Sequence, residues 1–328
     1  MSVDTMKNNE PFLNTRIRTA LYGLAVCDAL GAPLEFQPRQ HDRPKYVRDM
    51  LPNANFDLPA GHFTDDTSMA LCLAHSLVTS NGKHNAFDQA IRYVRWLDEG
   101  YMSSVADSAF DVGTQTRQAL QYWRQSASAE TLNFVGRKFD EDWRCGNGSL
   151  MRVLPCALVA KTEQEAVVLA KESSRVTHPH TRCVDACGLY TRLAWHALQG
   201  ANKEQLIGEM QKHVESLEVE LRKRLQQYDS IEAFDSKPRK QISSSGYVID
   251  SLEAALWALF TTETFEAGAI EVVNLGDDAD TVGAIYGGLA GAFYGKVECI
   301  PERWLRDMKS FELVVEAAQH LIDLHTRV

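Results

Sequence analysis

The feature that most constrains this chain is a row of glycines at positions 283, 287, 291 and 295. They punctuate a run from Val282 to Gly295 that is otherwise nearly all apolar or small. On a helix, residues four apart share a face, so the row forms one bare stripe. A stripe without side chains lets another backbone approach closely, and the spacing predicts a buried helix with a close helical partner. A matching stripe exists near the start of the chain. Gly23, Cys27 and Gly31 repeat at the same interval in a predicted helix from Asn14 to Gly31. Gly31-Ala32-Pro33 ends that helix, and Glu35 and Phe36 follow in a loop.

The glycine-striped helix opens with Gly276-Asp277-Asp278-Ala279-Asp280-Thr281. A second acidic start, Thr64-Asp65-Asp66-Thr67, opens a predicted helix with Met69, Leu73 and Leu77 on one face. Acidic residues at a helix start are often plain caps. Carboxylates that face inward instead cost several kcal/mol each unless positive charge meets them. A hard divalent cation such as Mg²⁺, Mn²⁺ or Ca²⁺ is the natural partner for oxygen donors. One acidic start fits either reading. Two starts, about 210 residues apart, favour two halves of one metal cage.

The 328 residues are 45% apolar and 24% charged, an ordinary globular balance. A net charge of −10 argues against a nucleic-acid-binding surface. The longest apolar run is glycine-rich and too short to span a bilayer, and Met1 to Pro11 lacks the apolar core of a signal peptide. Seven scattered cysteines without a CxxC pair read as free thiols in a reducing cytoplasm. Cys183 and Cys187, near His178 and His180, make a zinc site the weaker reading there. Further helices are expected over 87–97, 105–123, 163–173, 182–198, 203–227, 250–261 and 303–326, with 37–60 irregular and 229–245 a surface loop. Strand patterns are scarce. The expectation is a polar arm, 1–13, and one mostly helical domain, 14–328. The turn Cys145-Gly146-Asn147-Gly148-Ser149 presents backbone N–H groups that suit a phosphate or diphosphate. A histidine such as His178 is more often a cap than a ligand.

Taken in order, Gly23–Glu35 (GLAVCDALGAPLE), Gly61–Thr67 (GHFTDDT), Gly146–Arg152 (GNGSLMR), Thr177-His178, Gly246–Asp250 (GYVID) and Gly276–Thr281 (GDDADT) make a set. With it the chain resembles the ADP-ribosylglycohydrolases related to the dinitrogenase-reductase-activating glycohydrolase. The resemblance implies an all-α, compact orthogonal multi-helix bundle with two Mg²⁺ (or Mn²⁺) ions in a central cleft. Thr64, Asp65, Asp66, Asp278, Asp280 and Thr281 would hold the metals, with Glu35 beside them on a mobile loop. Gly148, Ser149 and Met151 would face the diphosphate and proximal ribose, and Asn147 belongs to the same substrate-binding turn. His178 would touch substrate and Tyr247 would flank the adenosine. Phe110-Asp111-Val112-Gly113 resembles the family's FDxG loop, so Asp111 joins Asp66 and Glu35 as an acid/base candidate. Asp277 departs from the glycine of many relatives.

The implied reaction removes ADP-ribose from protein side chains through an oxocarbenium-like transition state. ADP-ribosyl-arginine is the first choice of linkage; serine-linked, poly(ADP-ribose) and O-acetyl-ADP-ribose are the alternatives. The implied partners are an ADP-ribosylated protein and an ADP-ribosyltransferase toxin, met through the arm or the 229–245 segment. Two rival readings stand beside this one. Ile270–Gly276 before Asp278-x-Asp280-Thr281 mimics the strand and DxDxT loop of a phosphatase, and a relative that only binds ADP-ribose, or is structural, would carry similar motifs.

Overall fold

A computed structural model of the chain describes residues 10–326. Among these residues there is no β-strand, only isolated bridges at Asn53–Leu58 and Gly146–Tyr247. The helices are α1 Glu10–Gly31, α2 Asp65–Thr79, α3 Ala86–Glu99, α4 Thr114–Gln125, α5 Ala129–Lys138, α6 Pro155–Val159, α7 Glu163–Arg175 and α8 Thr181–Leu198. They continue with α9 Lys203–Val214, α10 Val219–Leu225, α11 Ile231–Ser236, α12 Val248–Thr261, α13 Phe265–Val273, α14 Ala279–Tyr294, α15 Glu302–Asp307 and α16 Phe311–Thr326. One cluster of buried apolar side chains runs from Ile17 to Leu324. The expected all-α class is what forms, and none of these helices is long and apolar enough to cross a membrane.

The two bare stripes mate. α1 and α14 lie so close that a Cβ added at Gly287 would sit 2.1 Å from the Gly23 carbonyl oxygen, and one at Gly23 would sit 2.3 Å from that of Gly287. The same holds along the seam, with Gly291 against Thr19, Gly283 against Cys27, and Gly31 against Ala279. Small residues are needed here because backbone fills the space a side chain would take. α12, α13 and α8 pack around α14, and α2 and α16 pack on α1.

Several expected boundaries move. α1 begins at Glu10, before Asn14, and so takes in the end of the expected polar arm; residues 1–9 of that arm lie outside the described residues. The helix expected over 105–123 starts only at Thr114, because Asp107 and Asp111 adopt left-handed backbone conformations that no helix accepts. The helix expected over 203–227 breaks at Glu215–Glu218, where the Glu218 carboxylate caps the amides of Glu220 and Leu221 and starts α10. The 303–326 helix breaks at Met308–Ser310, with Ser310 at φ 50°. The 229–245 segment is not a plain surface loop: α11 turns Phe234 inward, fully buried against Tyr228 and Phe260. The stretch Ile270–Val273, read above as a mimic of a phosphatase strand, belongs to helix α13, which removes the fold that reading needs.

The seam sets a prediction. Gly287→Ala should lower stability by about 3 kcal/mol or more through enforced overpacking, read from the denaturant midpoint. Gly208→Ala, in exposed helix with nothing within 4 Å of the added carbon, should raise it by about 0.5–1 kcal/mol. An unchanged midpoint for Gly287→Ala would show that α1 and α14 are not seated backbone to backbone.

Candidate active site

The acidic helix starts do not cap their helices. Asn85, Ser128, Thr162 and Asn202 each accept amide hydrogens at the starts of α3, α5, α7 and α9. Thr64 and Asp278 occupy the same position before α2 and α14, and neither side chain accepts a capping hydrogen bond. Their oxygens, with those of Asp65, Asp66 and Asp280, belong to a polar cluster inside the molecule.

Asp28 organises half of it. It is fully buried on α1 and accepts from the Thr64 amide at 2.9 Å, the Thr64 hydroxyl at 2.9 Å, the Thr67 amide at 3.0 Å and the Thr67 hydroxyl at 2.5 Å. The start of α2 is thus held by a side chain from α1. Asp66 Oδ2 also lies 2.9 Å from Thr64 Oγ1, whose single hydrogen the two carboxylates share, and Asp66 accepts from Thr281 Oγ1 at 3.4 Å, which joins α2 to α14. Oxygens of Asp28, Asp66 and Asp280 lie within 4.8 Å of one another, as do those of Glu35, Asp111 and Asp280. Asp278 accepts from Asn147 Nδ2 at 2.7 Å. Asp28 was not singled out from the sequence, although it lies inside the Gly23–Glu35 segment; the signal was a lone carboxylate between the small residues of an apolar stripe.

The cluster has no cation of its own. Among the described residues no Lys, Arg or His forms an ion pair with it. One oxygen each of Glu35, Asp66, Asp111 and Asp280 is buried without a hydrogen-bond partner. Burial, then the neighbouring carboxylates, raises Asp65, Asp66 and Asp280 well above the usual carboxylate range. Burial and Asp111 push Glu35 up to about 10, and burial pushes Asp111 up to about 7. Asp28 rises only to about 6, because the hydrogen bonds from Thr67 and Thr64 oppose its burial.

A cavity of about 440 Å³ opens above the cluster. Glu35, Asp65, Asp111, Asp278, Asp280 and Thr281 reach it from one side, and Asn147, Gly148, Met151 and His178 from another. Thr64 and Asp66 lie beneath, fully buried. Gly148 and Ser149 donate their N–H groups to no backbone acceptor among the described residues, so the expected diphosphate-binding turn is free to bind. The Ser149 hydroxyl turns away, toward Ser174 and Cys187. Asn147 commits its amide to Asp278 and Ser251. Tyr247 lines a separate depression with Lys223 and Arg224. Two backbone hydrogen bonds tie the Glu35 loop to the acidic turn: Phe36 N donates to Asp277 O at 2.7 Å and Asp277 N to Gln37 O at 2.9 Å. Asp277 is exposed and left-handed at φ 59°, a conformation that glycine adopts freely and aspartate tolerates.

A family model described as ADP-ribosylglycohydrolase matches residues 9–327. The chain belongs to the ADP-ribosylglycohydrolase family. It is 38% identical over 309 residues to ADP-ribosylarginine hydrolase Tri1 of Pseudomonas putida (strain GB-1), covering 94% of this chain and 78% of that protein. It is 32% identical over 306 residues to the ADP-ribosyl-[dinitrogen reductase] glycohydrolase of Rhodospirillum rubrum, covering 91% and 92%. A solved ADP-ribosylglycohydrolase-related protein complex superposes with a TM-score of 0.78 at 35% identity, over 96% of this chain and 98% of that one.

The divalent ions this family implies fit the residues present. The donors are all hard oxygens, and four buried carboxylate oxygens lack any partner. A pH dependence follows. Carboxyl groups whose folded pKa is raised bind more protons folded than unfolded, so their contribution to stability is lost as pH rises. For Glu35 and Asp111 that window runs from about 4 up to about 10 and about 7 respectively. The metal-free protein should therefore melt at lower temperature as pH rises from about 5 to 8, and Mg²⁺ or Mn²⁺ should offset the loss increasingly at the alkaline end. Calorimetric melts across that range check this; a flat metal-free profile would disprove it.

Proposed function

We propose that this protein hydrolyses the bond between ADP-ribose and an arginine side chain of a modified protein, with two Mg²⁺ or Mn²⁺ ions in the cleft. The observation that carries the reading is the set of unpartnered buried carboxylate oxygens at the floor of a cavity whose far wall is a turn with free amides. Negative floor and N–H wall suit a ligand with a diol at one end and a diphosphate at the other. The identity to relatives named for arginine-linked and dinitrogen-reductase-linked ADP-ribose supports the linkage.

We assign Thr64, Asp65, Asp66, Asp278, Asp280 and Thr281 as the metal-holding residues. Bound ions would supply positive charge that orients the ribose hydroxyls and favours ionisation of a nearby water. Glu35 is the better proton carrier, since it lines the cavity while Asp66 lies below it. In the proposed step the oxygen of water bonds to C1″ as the C1″–N bond breaks. Glu35 accepts the proton that water gives up and returns it to the departing guanidine, with an Asp111 oxygen within 4.8 Å of it. An ADP-ribosyltransferase must have supplied the linkage, and a toxin of that class fits the expected partner. All six metal positions are filled, which favours an enzyme over a relative that only binds.

The test is release of free ADP-ribose from arginine-, serine- and poly-linked substrates with Mg²⁺, Mn²⁺ or EDTA. Arginine-linked release that EDTA abolishes is expected; release from serine linkage alone would overturn the assignment of linkage, and no release at all the activity. Asp278→Ala should lose bound metal and on the order of 100-fold or more in turnover together. Normal turnover with normal metal content would remove Asp278 from the site.

A further inference from the structure

Arg152 is fully buried and has no carboxylate partner among the described residues. Its guanidinium lies 4.5 Å over the Tyr93 ring, its Nη1 meets only the Met69 sulfur at 3.6 Å, and its Nε has no partner. A buried cation left this poorly compensated is costly. Its one strong hydrogen bond runs from Nη2 to Thr177 Oγ1 at 2.6 Å. Thr177 Oγ1 is in turn 2.8 Å from His178 Nδ1.

These contacts point to one placement of the hydrogens. Arginine only donates, so the Thr177 oxygen accepts. The hydroxyl keeps one hydrogen, which would be buried unpaired unless His178 Nδ1, the one group in contact with it among the described residues that is able to accept, takes it. Nδ1 therefore carries a lone pair, and in the neutral ring the hydrogen sits on Nε2. The ring is neutral: burial, then the charge of Arg152, lowers its pKa to about 3. Nε2 has no protein acceptor among the described residues and faces the Gly146–Gly148 turn. A Cβ at Gly146 would lie 3.8 Å from it and one at Gly148 3.1 Å. His178 lines the cavity there, next to the free amides of Gly148 and Ser149.

We propose that Arg152 and Thr177 are positioning residues that lock His178 in the tautomer bearing hydrogen on Nε2, so that the ring offers the cleft a donor for an anionic group. That the anion is the diphosphate of ADP-ribose rests on the function proposed above; the tautomer does not. The relay converts a buried positive charge into a neutral, directional donor. A histidine that could also accept would repel a phosphate oxygen in its other tautomer.

The test uses full-length protein labelled with ¹⁵N-histidine, with His178→Gln to assign the ring. In the unliganded wild type, Nδ1 should show the unprotonated and Nε2 the protonated type of ¹⁵N shift, unchanged between about pH 5 and 8. Thr177→Val should lose that preference, Thr177→Ser should keep it, and Arg152→Met should weaken it. ADP-ribose affinity measured by calorimetry should fall about ten- to hundredfold in Thr177→Val and be regained in Thr177→Ser, with turnover showing the loss in KM more than in kcat. A wild-type ring protonated on Nδ1, or a Thr177→Val ring with unchanged shifts, overturns the lock. An altered tautomer with unaltered affinity overturns its role toward the anion. If Thr177→Val fails to fold, the wild-type shifts and Thr177→Ser still decide. Wild-type protein with the expected tautomer but no affinity for ADP-ribose would sink the functional reading and leave the lock standing.

Discussion

The close contact of α1 with α14 is the constraint on which the site depends. α14 carries Asp278, Asp280 and Thr281 at its start, and α1 carries Asp28 and leads directly into Glu35. Bringing the two backbones together at Gly23 and Gly287 places these groups within reach of one another. Asp28 then fixes α2 through four hydrogen bonds to Thr64 and Thr67. Three helices from distant parts of the chain are thus set by one seam and one carboxylate.

The seam was legible in the sequence because a missing side chain leaves a periodic trace. The acidic starts were legible as candidates, but their role was not: a carboxylate before a helix looks the same whether it caps or faces inward. Only the absence of capping bonds at Thr64 and Asp278, against their presence at Asn85 or Ser128, separates the two. Asp28 was hidden because the hydroxyls it serves lie 36 and 39 residues away. Two of the misplaced helix ends share a cause. Asp107, Asp111 and Ser310 take left-handed conformations without being glycine, so the local sequence carried no break. The buried Phe234 shows the opposite error, in which polar neighbours concealed an inward anchor.

Electrostatically the centre is unbalanced by construction. Its carboxylates repel and are desolvated, and protonation is how the cation-free chain relieves this. The surplus positive charge nearby, Arg152, is not spent on neutralising them. It lies behind Thr177 and His178 and acts on the opposite wall of the cavity. The cleft is therefore polarised, with acceptors on its floor and donors on its wall, as an elongated ligand with distinct ends requires.

The paired backbone bonds between Phe36 and Asp277 and between Asp277 and Gln37 have a mechanical meaning. The Glu35 segment cannot lift away from the cavity alone. That motion must either break the latch or drag the neighbouring acidic turn along with it. The Glu35 segment and the acidic turn before α14 are mechanically one unit.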